Sequence, residues 1–216
     1  MATLEGVYSA SVTDNHDPEG LGRVRVRVSA LDNVIGARGV WARVATLMAG
    51  RNRGTLFLPD VGDEVLVAFE AGDQRAPYVL GALWNAKSPP PAEASDAATV
   101  KLIRSRTGVT IRIRDDNTTG SLVIETPGGQ RITLQDGPAA VRVEDANGNV
   151  VTMETSGVTV TASATVTLNA SSATLNAGML TVNAGMSRFS GVVQCDTMMS
   201  NSVISASYTP GAGNLW

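Results

Sequence analysis

From Val158 to Ala170 the alternation of apolar and polar residues is unbroken: Val158, Val160, Ala162, Ala164, Val166, Leu168 and Ala170 are separated by Thr, Ser and Asn. A period of two predicts extended backbone with one apolar face. A short unit then recurs at intervals of seven: Thr167-Leu168-Asn169-Ala170, Thr174-Leu175-Asn176-Ala177 and Thr181-Val182-Asn183-Ala184. Seven is odd, so strict alternation would turn each copy's Leu or Val to the opposite face, and the chain must bend or reset once per repeat. Ser171-Ser172 and Met179-Leu180 mark the resets. Regularly bent short strands predict a β-solenoid or β-prism rather than a flat sheet. Each unit buries only two or three small side chains, which barely offsets an ordering cost of roughly 1–2 kcal/mol per residue. Several chains, most simply three, are therefore expected to share one axis. The candidates for that shared core are Val158, Val160, Val166, Leu168, Leu175, Val182 and Phe189. A disordered or amyloid-prone tail is the competing reading, and the regular interval disfavours it.

Residues 101–157 read as a β meander. The expected strands are 109–114, 122–124, 131–134, 141–143 and 150–153, with turn signals at Asp115-Asp116-Asn117, Pro127-Gly128-Gly129, Asp136-Gly137-Pro138 and Asn147-Gly148-Asn149. Residues 1–86 also read as strands, at 4–13, 22–28, 40–44, 55–58, 64–69 and 78–80. Arg alternates with Val through 23–28, so one face of that strand is buried and the other solvated. Five or six strands without a convincing helix predict a small closed barrel of the OB type. The Pro- and Ala-rich stretch 87–100 reads as a linker. The fold class is thus all-β, an OB-fold barrel followed by a trimeric intertwined β-helix or β-prism.

Composition sharpens this division. The 216 residues carry 17 Lys and Arg against 20 Asp and Glu, a net charge of −3, which argues against a broad basic surface for nucleic acid. Residues 151–216 contain only Arg188, Glu154 and Asp196 as charged groups, and 25 of those 66 residues are Ser, Thr or Asn. The start of the chain has neither a basic nor an apolar targeting segment, and no long apolar run follows. One His and one Cys exclude disulfide frameworks and Cys/His zinc sites within a chain. Cys195, in the low-charge region, is expected to be a small core residue rather than a nucleophile.

The carboxylates Asp60, Asp63 and Glu64 invite an acid/base reading, but they lie in a Gly-containing turn with no substrate-binding context. A solvated turn is the expectation, and no enzymatic activity is predicted. Asp14-Asn15-His16-Asp17 lacks the Gly and distal Glu of a calcium loop. No metal and no cofactor are expected. A single-stranded nucleic-acid-binding OB protein with a solenoid tail remains the alternative. Against it, the domain is acidic and the Arg-Val strand lacks interleaved aromatics.

The segment 59–73, from Pro59-Asp60-Val61-Gly62-Asp63-Glu64 to Gly72-Asp73, continues into Pro77-Tyr78-Val79-Leu80-Gly81-Ala82-Leu83-Trp84-Asn85. Together with Gly22-Arg23-Val24-Arg25-Val26 and Trp41-Ala42-Arg43-Val44, it resembles the phage baseplate-assembly protein V and central spike family. Pro59, Gly62, Asp63, Glu64, Gly72, Asp73, Pro77, Gly81 and Trp84 carry the match. Downstream, 125–134 is similar to the start of that family's triple-stranded β-helix, a form shared with the valine-glycine-repeat spikes of type VI secretion. The resemblance implies a structural central spike of a contractile tail or injection system. It divides the chain into an OB-fold collar at 1–86, a linker at 87–100, a transition at 101–157, the β-helix at 158–207 and a tip segment at 208–216. It also implies a homotrimer, seated on a separate trimeric hub protein at the tube end, that pierces the target cell envelope on contraction. Assembly would take place in the bacterial cytoplasm, without a signal peptide, into a virion tail or tail-like particle. Tyr208, Pro210, Leu215 and Trp216, beyond the repeat, are the candidates for plugging the needle end or docking a PAAR-like tip protein.

Overall fold

The computed structural model describes residues 4–91, 98–116, 119–137 and 141–206. Contacts divide the chain into two units, one ending at Thr165 and the other beginning at Val166.

The first unit opens with a barrel. Its strands are β1 (Val7–Asp14), β2 (Arg23–Arg27), β3 (Val40–Val44), a two-residue pair β4 (Ala49–Gly50) and β5 (Arg53–Gly54), β6 (Glu64–Phe69) and β7 (Pro77–Leu83). The five longer strands close in the order β1-β2-β3-β7-β6, with β3 and β7 parallel and the other neighbours antiparallel. This is the expected OB-type closure, and closure removes the unpaired edges a small sheet would otherwise expose. The alternation in the sequence sets what lies inside. Val24, Val26 and Val28 are fully buried with Val12, Val65, Val67 and Val79, while Arg23, Arg25 and Arg27 stand outside. Among the described residues helix is confined to single turns, one α-helical (Asp32–Ile35) and two of 3₁₀ type.

Two expectations fail in the barrel. Residues 55–58 form no strand; Leu56 and Phe57 are exposed, and the backbone there leaves the β4–β5 hairpin instead of pairing with the barrel. The first strand begins at Val7 rather than Leu4, because Gly6 takes a positive φ of 84° and interrupts extended backbone.

A seven-stranded antiparallel meander follows: β8 (Val100–Arg104), β9 (Thr110–Asp115), β10 (Gly120–Glu125), β11 (Arg131–Gln135), β12 (Val141–Glu144), β13 (Val150–Glu154) and β14 (Gly157–Thr161), paired in chain order. The turns expected at Pro127-Gly128-Gly129 and Asn147-Gly148-Asn149 are present, with Gly129 and Gly148 at positive φ, while Asn117 and Pro138 lie outside the described residues. Sequence reading missed β8. It also carried the strand beginning at Val158 on to Ala170, whereas hydrogen-bonded pairing within the chain ends at Thr161.

The second unit is extended and bends regularly. The backbone bends at Ala164, Ser171, Gly178 and Gly185, seven residues apart, and then at Gly191, Asp196, Asn201 and Ala206, five apart. Between Val166 and Ile204 no backbone-to-backbone hydrogen bond forms among the described residues.

Candidate trimerisation surface

The meander's ladder registers place apolar residues of all seven strands in line. Ile103 pairs with Ile111, Ile111 with Ile124, Ile124 with Ile132, Ile132 with Val143, Val143 with Val151 and Val151 with Val160. Two residues along each strand, on the same face, a second row runs Lys101, Ile113, Leu122, Leu134, Val141, Met153, Val158. Thirteen of these fourteen positions are apolar. β-branched neighbours on adjacent strands suit a pleated surface that another layer covers.

Among the described residues nothing covers this face. Nine of the thirteen apolar side chains keep between 37% and 66% of their surface open, Ile111 the least and Val158 the most. The opposite face is mixed, with Leu102, Val123 and Val150 set among paired charged groups. Glu125 receives a hydrogen bond from Thr110 Oγ1 at 3.1 Å and lies 3.3 Å from Arg112 and 2.9 Å from Arg131. Arg142 meets Glu144 at 2.7 Å. The sheet therefore has one face finished for water and one face unfinished. A contiguous apolar patch of this kind marks an interaction surface.

The second unit has the same deficit. After each bend at Ala164, Ser171 and Gly178, the residues two, four and six positions on are apolar: Val166-Leu168-Ala170, Ala173-Leu175-Ala177 and Leu180-Val182-Ala184. The bends absorb the odd residue of each repeat, so alternation restarts in phase. Of the core candidates, Val158 and Val160 lie on β14 in the apolar rows of the meander, and Val166, Leu168, Leu175, Val182 and Phe189 lie in the second unit; all seven are exposed in the single chain. Cys195, expected in a core, is likewise exposed. In the five-residue stretch apolar residues come in pairs, Val192-Val193, Met198-Met199 and Val203-Ile204. This second period was missed, because a paired run shows no alternation. Tyr208, Pro210, Leu215 and Trp216 lie outside the described residues.

The motif residues of the barrel lie in its turns and in strands β6 and β7. Gly62, at φ 99°, donates its N–H to the Val12 carbonyl at 2.9 Å, and the Asp63 carbonyl accepts from the Val12 N–H at the same distance. The Asp63 carboxylate accepts the Asp60 N–H at 2.8 Å, and the Pro59 carbonyl accepts from the Asn15 side chain at 3.3 Å. Glu64 accepts a hydrogen bond from Asn85 at 2.6 Å. These acidic groups are committed to turn structure, and Arg106 lies 3.2 Å from Asp60. Between β6 and β7, Gly72 at φ 78° and Asp73 shape the return. Asp73 accepts the Arg75 N–H at 2.9 Å and pairs with its guanidinium at 2.8 Å. Those contacts, the side-chain hydrogen bond first, hold the Asp73 carboxyl down at about 2. Pro77 is buried opposite Phe69, Gly81 sits at a β-bulge opposite Leu66, and Trp84 is exposed just beyond β7. His16 is exposed and lies 3.7 Å from Asp14; among the described residues no group of three or more His, Cys, Asp or Glu is placed to hold a metal ion. No helix among them is long and apolar enough to cross a membrane.

Known proteins match the barrel and the region after it separately. Residues 8–84 match the model of the type VI secretion system/phage-baseplate injector OB domain, and residues 121–181 match the phage baseplate V C-terminal trimerisation domain. The two matches together span well over half of the chain. The chain belongs to the phage baseplate V and spike family. Curated relatives agree. The type VI secretion system spike protein VgrG1a of Pseudomonas aeruginosa is 38% identical over 66 residues, covering 31% of this chain and 10% of the relative. VgrG4b of the same organism is 32% identical over 108 residues, covering 50% of this chain and 10% of the relative. VgrG3 of Vibrio cholerae is 36% identical over 67 residues, covering 31% of this chain and 7% of the relative. The chain thus spans about a tenth or less of the length of these relatives. The trimerisation match takes in β11 to β14 and nearly all of β10, five of the seven strands that carry the uncovered apolar rows.

Proposed function

We propose that three copies of this chain assemble into the central spike of a contractile tail or injection system. The uncovered rows of the meander close against one another, and residues 158–207 wind into a triple-stranded β-helix. The observation that carries the reading is the two-row apolar face, thirteen apolar positions on one side of a sheet whose other side carries paired charges. Apolar burial at roughly 25 cal/mol per Å² is the dominant favourable term in such association. Between Val166 and Ile204, backbone donors and acceptors that make no backbone hydrogen bond among the described residues pair between copies, as extended strands require. An intertwined needle of this kind has no hinge and few charges to desolvate, which suits a rod driven through a cell envelope by sheath contraction. The barrel forms the collar at the tube end, seated on a hub protein, and the tip segment 208–216 meets the envelope or a PAAR-like protein. The role is mechanical, not enzymatic.

Cys195 supplies a direct test, because it is the sole cysteine and is exposed in the single chain. In the spike, three copies of it sit at one height around a narrow axis. A short three-armed maleimide should join three chains into one band on a denaturing gel at dilute protein concentration. Recovery of uncrosslinked single chains under the same conditions refutes the shared axis.

A further inference from the structure

The outside of the barrel carries a feature that neither trimerisation nor piercing uses. On β2 and β3 the registers set Arg25 opposite Trp41 and Arg23 opposite Arg43, and on β7 Tyr78 stands opposite Arg43. The Arg25 guanidinium lies 4.7 Å from the centre of the Trp41 ring, and that of Arg43 lies 5.4 Å from the Tyr78 ring. Stacking on an aromatic face holds a guanidinium flat with its donor fork turned outward. Arg23, Arg27 and Arg75 are neutralised by Asp17, Asp32 and Asp73. Arg25, Arg43, Arg51 and Arg53 have no carboxylate within ion-pair distance among the described residues.

Beside these cations the surface is concave, with apolar side chains set among polar ones that include Asp17 and Thr55. A shallow hollow of about 880 Å³ at the base of the β4–β5 hairpin is lined by Leu21, Val44, Met48, Leu56 and Phe57, with Arg53 at its edge. Leu21 and Val44 also border the Arg43–Tyr78 face, so hollow and cations form one surface. Phe57 keeps 72% of its surface open, an exposed apolar group of the kind that marks a contact surface.

We propose that this surface docks an acidic segment of a separate protein, its carboxylates on Arg25 and Arg43 and an apolar side chain in the hollow. Planar forks already seated on rings lose little freedom on binding carboxylates, and an apolar anchor beside them gives the usual hot-spot arrangement. A second copy of this chain is a poor occupant, because its barrel carboxylates are mostly engaged: Asp17, Glu19, Asp32, Asp60 and Asp73 with arginines, Glu64 with Asn85 and Glu70 with Tyr78. Nucleic acid is a poor occupant too, since Trp41 already has Arg25 and Arg23 at its ring, which a base would have to displace. The inference deepens the proposed seat on the hub, by naming the chemistry of the seat, and rests on that reading.

The test uses the full chain and a fluorescein-labelled peptide of Glu and Leu residues, with a Lys/Leu peptide and oligothymidylate as comparison probes, read by anisotropy. The expected result is saturable binding of the Glu/Leu peptide alone. It should weaken at least about tenfold in Arg25→Gln/Arg43→Gln and in Phe57→Ser. Far-UV circular dichroism and native mass on the same samples keep folding and assembly separate. Absence of binding, binding unchanged in folded variants, or tighter binding of oligothymidylate overturns the docking site. If the wild-type chain binds the peptide but is a monomer by native mass, the spike reading fails and the acidic-segment site stands.

Discussion

Replacing Ile132 with Asp probes the apolar rows at their middle strand. Ile132 lies on β11 between Ile124 and Val143 and keeps 39% of its surface open in the single chain. Full burial of such a side chain is worth about 1.5–3 kcal/mol, so covering the remainder contributes roughly 0.6–1.2 kcal/mol per copy. A lone carboxylate sealed among three apolar faces adds a penalty of about 3–5 kcal/mol. With three copies, the loss reaches roughly 11–19 kcal/mol per trimer, enough to dissociate it at micromolar concentration. Thr133→Asp is the control. Thr133 lies on the opposite face beside Val123 and Arg142, so its substitution should leave assembly intact. Native mass spectra and melting curves at about 1 and 100 μM separate the outcomes, because only an assembled species has a concentration-dependent melting temperature. Equal effects of the two substitutions, or an Ile132→Asp chain that still assembles, would refute the claim that this face is the shared core.

Other consequences follow from individual residues. Gly39 has φ 73°, and a Cβ there would collide with the Val26 carbonyl oxygen; Gly39→Ala should cost at least about 2 kcal/mol in urea unfolding of the barrel, and no change would show that the loop yields. Arg75 lowers the folded-state pKa of Asp73 from 3.8 to about 2, and Arg23 and Arg27 lower those of Asp17 and Asp32. A depressed carboxylate pKa stabilises fully above 3.8 and loses that contribution as pH falls toward 2, so barrel melting temperature should fall through that window. Asp73→Asn should remove part of the slope, and an unaltered slope would contradict the assignment. In the second unit, duplicating Asn201–Ser205 adds one whole five-residue period and should preserve assembly, whereas inserting one residue after Ser200 should lower its melting temperature. Equal tolerance of both insertions would show that the period sets no register.

Much of this was legible because it rests on local periodicity. The Arg-Val alternation of 23–28 placed Val24, Val26 and Val28 in the core, and Gly-containing turns bounded the meander strands. What could not be read was pairing. Nothing in 101–157 announces that Ile103, Ile111, Ile124 and Ile132 share one row, because register depends on turn geometry and on strand ends. β8 was missed because its five residues directly follow a stretch that reads as linker. Leu56-Phe57-Leu58 was mistaken for a strand because an apolar run looks the same whether it faces a core or a partner. The stacked arginines were also hidden, since Trp41 and Tyr78 reach them from neighbouring strands.

The central claim is that the exposed rows are a core divided among three chains. Native mass measurement of the intact chain tests it most directly. The account predicts a single species of three times 22.4 kDa that persists on dilution to micromolar protein; a stable species of 22.4 kDa under those conditions would contradict it.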